Sequence, residues 1–251
     1  MVKIALDAGH GLYTPGKRTP DDEREWSFNN KVLLACVAEL NKYHNVSILR
    51  LDDHTGQRDV PLTERTNKAN RWGADVLVSI HHNANTSKWG SWGGVETFVY
   101  RTNNGKAYQL ANIINPKIVK AMGLRNRGVK SANLHMVRET RMPAILTEGG
   151  FMDSTTDIRA LRDGNKLKAQ GIAIAQGLAE YYKLKRKKED VVVNESKPTY
   201  TEAGPSHKEA WEWGYKRGIT DGRDPNEPIT RAQLMTMLYR YEHPDKRLKN
   251  K

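Results

Sequence analysis

The first 184 residues alternate between two patterns of apolar and polar side chains. Apolar runs typical of buried strands occupy 2–6, 46–51, 74–80, 95–100 and 144–147. Apolar residues recur at helical spacing over 25–43, 61–72, 105–122 and 167–182. Pro61 suits the start of its helix, whereas Pro116 is expected to break or kink the third helix. The alternation predicts an α/β fold over residues 1–184, with a layered, mostly parallel sheet flanked by helices.

The pattern changes after residue 184. Residues 185–203 hold no helical or alternating periodicity and are predicted to be a linker, although Val191–Val193 alone would suit a short strand. Residues 204–251 are predicted to form a small helical domain, with helices over 207–216 and 230–241 and a turn over 218–222. A unit of about 45 residues has little core, so we expect it to lean on the first domain or on another copy of the chain.

Composition narrows the classes of partner. Lys and Arg outnumber Asp and Glu by 41 to 29, and this net charge of +12 suits a polyanion such as nucleic acid, an anionic membrane or a phosphate-bearing cell wall. The chain carries no standard nucleic-acid-binding motif, and no apolar stretch approaches the roughly 18 residues of a membrane span. The single cysteine, Cys36, excludes an internal disulfide and is interpreted as a small buried hydrophobe.

The strand pattern begins at residue 2, so we expect the chain to carry no signal peptide. We therefore expect the protein to be made and folded in the cytoplasm.

Candidate catalytic residues follow or close three of the predicted strands. His10 lies in Asp-Ala-Gly-His-Gly, His81 in Ser-Ile-His-His-Asn-Ala and Glu148 in Thr-Glu-Gly-Gly-Phe. The carboxyl ends of parallel strands meet at one edge of a sheet, so we expect these residues to lie together. Two histidines and Glu25 form the ligand set of a catalytic zinc, which takes three protein ligands and keeps one position open. The Glu148 carboxylate suits a general base that takes a proton from water.

Two of these candidates have neighbours that compete with them. Glu23 lies in the same acidic stretch as Glu25, and an acidic side chain there would also suit a charged helix start. Glu25 is favoured because Asn29 follows it one helical turn later. His82 competes with His81, and only one is expected to reach the metal because adjacent strand residues point to opposite faces. The other imidazole would line the cleft or stay neutral.

Aromatic and basic residues near the motifs are further candidates. Trp89 and Trp92 follow the second histidine motif, and either substrate contact or plain packing would explain them. Arg138 and Arg141 precede the Glu148 strand, where they would either hold substrate carboxylates or form part of a solvated surface.

Taken in order, the four motifs resemble those of a known family. The segments 7–11, Glu25 with Asn29, 79–84 and 147–151 are similar to those of zinc-dependent N-acetylmuramoyl-L-alanine amidases of the amidase 3 type, a group of bacterial autolysins and phage endolysins. The resemblance implies a Zn²⁺ enzyme that cuts the amide between the muramic acid lactyl group and L-alanine in peptidoglycan. Residue by residue, it implies that His10, Glu25 and His81 are the zinc ligands and that Glu148 is the catalytic carboxylate.

A second resemblance covers residues 204–245. Trp211-Glu-Trp-Gly, the turn at 218–222 and Thr230-Arg-Ala-Gln resemble one S-layer homology motif, with Gln233 where the motif usually has Glu. This implies wall binding through an anionic secondary polymer. Such motifs usually occur in threes, so a homo-oligomer would supply the missing copies.

The expected lack of a signal peptide, the compact size and the layout of a catalytic and a binding domain favour a phage endolysin that lyses Gram-positive cells once the membrane is breached. Three alternatives stand beside it. They are a host or prophage autolysin of the same chemistry, a zinc peptidase or deacetylase acting on the wall, and a wall-binding or nucleic-acid-binding protein without catalysis.

Overall fold

The computed structural model describes residues 1–103, 105–187, 208–220 and 231–246, the side chains of 231–233 and 246 excepted. Its contacts divide the chain into two compact units, Met1–Lys187 and Lys188–Lys251. Most of the predicted linker lies outside the described residues. Its first residues pair with the first unit, since Lys187 N donates to Lys42 O at 2.7 Å and His44 N donates to Lys185 O at 2.9 Å.

A six-stranded sheet organises the first unit, with strand order β2-β1-β3-β6-β4-β5. Within the described residues, neighbouring strands run parallel except β4 against β6, which confirms the predicted α/β fold with a mostly parallel sheet. The strands are β1 Val2–Ala8, β2 Val46–Arg50, β3 Val76–Asn83, β4 Val95–Val99, β5 Asn126–Ser131 and β6 Ala144–Phe151.

Six helices of the first unit connect and cover these strands. They are α1 Glu25–Leu40, α2 Leu62–Trp72, α3 Lys106–Met122, α4 His135–Arg138, α5 Ile158–Arg162 and α6 Gly164–Tyr181. Helix α3 is continuous through Pro116, so the expected break does not occur. The short elements β5, α4 and α5 were not predicted from the hydrophobic pattern.

The alternation of side chains along β1 gives the sheet two buried faces. Ile4 and Leu6 join the larger apolar core, which also contains residues of α1, α3 and α6. Ala5 joins a smaller core that contains residues of α2 and α4. Strands β1, β3 and β6 are adjacent and parallel. Their carboxyl ends therefore open together at one edge, where the predicted site residues lie.

Among its described residues, the second unit contains two helices close to the predicted positions. Helix α7 spans Lys208–Lys216 and helix α8 spans Arg231–Glu242, followed by a short 3₁₀ helix at Pro244–Lys246. The rings of Trp213 and Tyr241 lie 5.9 Å apart. The predicted turn is described only as far as Thr220. Among the described residues, no helix is long and apolar enough to cross a membrane.

Candidate active site

Three side chains converge where β1 and β3 end and α1 begins. His10 Nε2 lies 3.3 Å from Glu25 Oε2, and His81 Nδ1 lies 2.9 Å from Glu25 Oε1. The imidazole rings of His10 and His81 meet edge to face, with centroids 4.9 Å apart. One donor atom from each of the three residues lies within 4.8 Å of the others. The structure therefore brings together the three residues predicted from separate parts of the sequence.

The turn after β1 directs His10 toward Glu25. His10 has a φ of 66°, in the left-handed region that a residue with a side chain rarely adopts. Gly9, immediately before it, packs against the His81 ring, where a Cβ atom would lie 2.0 Å from His81 Cε1. Gly9, the first glycine of Asp-Ala-Gly-His-Gly, is thus required for the close approach of the two histidines.

Arg65 of α2 donates hydrogen bonds to this turn. Its role was not predicted from the sequence. Its Nη1 donates to Asp7 Oδ1 at 2.6 Å and to the Ala8 carbonyl at 3.0 Å. Its Nη2 donates to the His10 carbonyl and to Asp59 Oδ1, both at 3.0 Å. The guanidinium is 1% exposed, and Nε donates to the Val60 carbonyl. Every N–H of the side chain therefore has an acceptor, and one of these acceptors is the backbone of the strained His10.

Glu148 lies on the neighbouring strand, in register with His81. The two residues line a cleft of about 90 Å³ together with Lys17 and Met152. Glu148 Oε2 is buried and has no hydrogen-bond partner among the described residues. Burial raises the pKa of this carboxyl to about 8; the charge of His81 opposes the rise, and the carboxylates of Glu25 and Glu96 add to it. A carboxyl that exchanges its proton near neutral pH suits acid–base catalysis.

Electrostatics favour an ionised Glu25 between two histidines. Burial alone would raise the pKa of Glu25, but the hydrogen bond from His81 and the charges of His10 and His81 lower it below its usual value. Burial lowers the pKa of His10 to about 4, so its imidazole is neutral and free to bind a metal. Burial also acts to lower the pKa of His81, yet the hydrogen bond to Glu25 and the negative charges of Glu25, Glu148 and Asp7 together outweigh burial, so the net shift is upward.

The competing residues occupy other places. Glu23 accepts from Arg162 Nε at 2.8 Å and does not reach the histidines. His82 shares a face of β3 with Val78 and Ile80, and its ring nitrogens lie against side chains of α1 and α6. Burial lowers the pKa of His82 to about 4, which favours the neutral ring, and His82 is also among the residues that line the cleft beside Glu148.

The weaker candidates separate into different roles. Trp92 donates its indole N–H to Asp153 at 2.7 Å and packs against Gly90, whereas Trp89 remains 37% exposed. Arg138 donates to the side chains of Glu139 and Asn133, and the backbone N–H of Arg141 donates to Asn70 in α2. Neither arginine lines the cleft beside Glu148 or the second cavity, which lies between His10, Arg65 and His81. Both arginines precede the amino end of β6, whereas Glu148 lies toward its carboxyl end.

The family model for N-acetylmuramoyl-L-alanine amidases, Amidase_3, matches residues 4–180. The chain belongs to this amidase family. It is 37% identical over 187 residues to the N-acetylmuramoyl-L-alanine amidase CwlM of Bacillus licheniformis, covering 74% of this chain and 71% of that one. It is 31% identical to the endolysin of Bacillus phage SPP1, covering 74% of this chain and 69% of that one.

A solved structure supports the same assignment. The catalytic domain of CwlV, an N-acetylmuramoyl-L-alanine amidase from Bacillus (Paenibacillus) polymyxa, matches with a TM-score of 0.65 and 30% identity. The match covers 74% of this chain and all of that domain. The matched region of this amidase contains His10, Glu25, His81 and Glu148. The protein is therefore an N-acetylmuramoyl-L-alanine amidase acting on peptidoglycan, and its second unit lies beyond the matched region.

The donor set of this amidase fits a zinc ion. Zinc binds imidazole nitrogen and carboxylate oxygen, and catalytic sites commonly use three such protein ligands. The three residues supply two imidazoles and a carboxylate, and the buried, unpartnered Oε2 of Glu148 lies in the cleft beside them. A buried carboxylate oxygen without a partner is costly, and a cation or a water molecule in the cleft would remove that cost.

Proposed function

We propose that this amidase is zinc-dependent and that His10, Glu25 and His81 hold the metal. The observation that carries the proposal is the convergence of three donor atoms, within 4.8 Å of one another, from two strand ends and one helix start. The lowered pKa values of His10 and Glu25 suit a neutral imidazole ligand and an anionic ligand, whereas the upward shift at His81 means that zinc must displace a proton that Glu25 favours. A zinc ion bound there would supply Lewis-acid polarisation of the scissile carbonyl.

Glu148 is the group that moves the proton in this mechanism. Its carboxylate accepts a proton from the attacking water and returns it to the nitrogen of the departing L-alanine. Burial raises the pKa of Glu148 to about 8 in the metal-free protein, and a cation bound beside it would lower that value toward neutrality, where the same oxygen can first accept and then donate a proton. Lys17 lies in the same cleft, and its positive charge lowers the pKa of Glu148.

A matched pair of glutamate variants tests the ligand assignment. Glu25→Gln keeps the size of the side chain but removes the anionic ligand, so we expect zinc content to fall far below one ion per chain. Glu23→Gln changes the neighbouring acid that pairs with Arg162, and it should bind zinc as the wild type does. Equal zinc content in both variants would exclude Glu25 as a ligand.

For the biological role, we propose a phage endolysin that reaches the wall of a Gram-positive host from the cytoplasm once the membrane is breached. Similarity to the SPP1 endolysin supports this role, whereas the greater identity to CwlM supports a host or prophage autolysin as the alternative. Expression inside Gram-positive cells, with and without a separate membrane-permeabilising protein, distinguishes them. Lysis that requires permeabilisation supports the endolysin, and lysis without it contradicts that role.

For the second unit, we propose binding to an anionic secondary wall polymer, with further copies of the motif supplied by a homo-oligomer. The S-layer-like motif and the net charge of +12 support this role. Wall binding by the isolated first unit equal to that of the full chain would contradict it.

A further inference from the structure

A buried chain of polar side chains connects α6 to the proposed zinc ligands. His82 Nε2 lies 3.2 Å from Gln170 Oε1, and His82 Nδ1 lies 2.8 Å from Asn29 Oδ1. Asn29 Nδ2 in turn donates to the Gly9 carbonyl at 3.1 Å and to Glu25 Oε1 at 3.3 Å. The three intermediate side chains are at most 1% exposed, so they form a continuous path from α6 to the carboxylate of Glu25.

The contacts of Asn29 set the direction of these hydrogen bonds. Both acceptors on its amino side, the Gly9 carbonyl and the Glu25 carboxylate, require the NH₂ group there. The amide oxygen must then face His82, which donates its Nδ1–H and keeps Nε2 as an acceptor. Gln170 Nε2 is buried without a partner among the described residues. A half-turn of this amide would present its NH₂ to His82 Nε2 and complete the chain.

These polar side chains lie inside the apolar core, where apolar side chains would need no hydrogen-bond partners. The surrounding core is built from residues such as Val32, Ile80 and Ile174. Buried polar groups are costly there unless their partners are all in place. Gly149, next to Glu148, adds a second, independent sign of a built arrangement. A Cβ at this position would lie 2.2 Å from Gln170 Nε2, so the glycine leaves the space that the amide fills.

We propose that Asn29, His82 and Gln170 are positioning residues that fix the orientation of Glu25 and of the Gly9–His10 turn. Asn29 touches both, through the carboxylate of Glu25 and the carbonyl that precedes His10. His82 and Gln170 hold the Asn29 amide in the one orientation that serves both acceptors. The inference rests on the proposed zinc site, and it makes zinc affinity, rather than fold stability alone, the property that these residues control.

Zinc dissociation constants of purified full-length variants, measured by competition with a chromophoric chelator, test this proposal. His82→Leu should weaken zinc binding about 10- to 100-fold, the usual effect of losing a partner behind a metal ligand. His82→Asn keeps an N–H donor near the Nδ1 position and should restore most of that affinity. Phe28→Leu is the matched control. The ring centroids of Phe28 and His82 lie 5.9 Å apart, but Phe28 takes no part in the chain of hydrogen bonds. This variant should leave zinc affinity unchanged while lowering the stability of the metal-free protein.

A double-mutant cycle separates positioning from general destabilisation. In an Asn29→Ala background, His82→Leu should weaken zinc binding by less than about 3-fold, because the link is already broken. Additive losses, or an unchanged dissociation constant in His82→Leu, would overturn the proposal. If His82→Leu does not fold, Gln170→Met decides by the same measurement. A wild-type protein that binds no zinc would instead overturn the proposed zinc site, so the two failures are distinguishable.

Discussion

Replacing Arg65 with Met should be among the most damaging single changes near the site. The guanidinium and its partner Asp7 are each 1% exposed, and Arg65→Met would leave the Asp7 carboxylate with a bond from Ser79 Oγ at 2.7 Å. Removing one member of a buried ion pair typically costs about 3–5 kcal/mol. The change also removes the hydrogen bond to the carbonyl of His10, whose left-handed backbone must be held in place.

Urea unfolding of the metal-free protein measures this cost. With a slope of about 2 kcal/mol per molar urea, a loss of about 4 kcal/mol lowers the midpoint by about 2 M. Arg58→Met is the control, because Arg58 pairs with Glu64 on the exposed surface and such pairs contribute about 1 kcal/mol or less. The double variant Arg65→Met/Asp7→Leu should recover most of the loss, since it removes the uncompensated charge.

Equal losses of stability in Arg65→Met and Arg58→Met would show that the buried ion pair contributes no more than an exposed one. No recovery of stability on adding Asp7→Leu would show that the loss does not arise from a stranded carboxylate.

Three further predictions follow from the site and the domain division. Glu148→Gln should retain zinc and lower kcat about 10²- to 10⁴-fold. Steady-state kinetics on soluble peptidoglycan fragments will measure this loss, and a fully active variant would show that another group is the base. Because folding raises the pKa of Glu148 from 4.5 to about 8, this carboxyl binds its proton more tightly in the folded state than in the unfolded one. The stability of the metal-free wild type relative to Glu148→Gln should therefore fall as pH rises from about 4.5 to about 8, since the opposite contributions of His10 and His82 are common to both proteins; parallel urea-midpoint profiles would contradict this. A chain ending at Lys187 should keep its activity on soluble fragments but bind intact walls more weakly than the full chain over a salt series.

Periodicity predicted the parts of the fold that bury continuous apolar surface. Strands β1 and β3 are long apolar runs, and their parallel pairing follows from the intervening helices. Strand β5 was not predicted, because its sequence, Asn-Arg-Gly-Val-Lys-Ser, is polar and contains Gly128 at a φ of 83°. It lies at the sheet edge, where only one side pairs and the apolar requirement is weak. The antiparallel pairing of β4 with β6 likewise leaves no local signature in the sequence.

The convergence of His10, Glu25 and His81 was predictable from motif and strand position, whereas the side chains that hold them in place were not. In the sequence, Arg65 is a charged residue of an amphipathic helix with nothing to indicate burial. Its burial depends on Asp7 in β1 and Asp59 in the loop before α2, which only the fold brings to it. Gln170 reads as an ordinary helix position for the same reason. The sequence indicates Asn29 only through its spacing from Glu25, and the structure shows the hydrogen bond that this spacing permits.

The most direct test of the account is digestion of purified peptidoglycan by verified metal-free protein and by the same protein reloaded with zinc. New amino groups of L-alanine and new reducing ends of the glycan are counted in parallel. The account predicts new L-alanine amino groups only after zinc is restored, with no new reducing ends in either sample. Full activity in the metal-free sample would contradict the zinc site, and new reducing ends without amino groups would contradict amide cleavage itself.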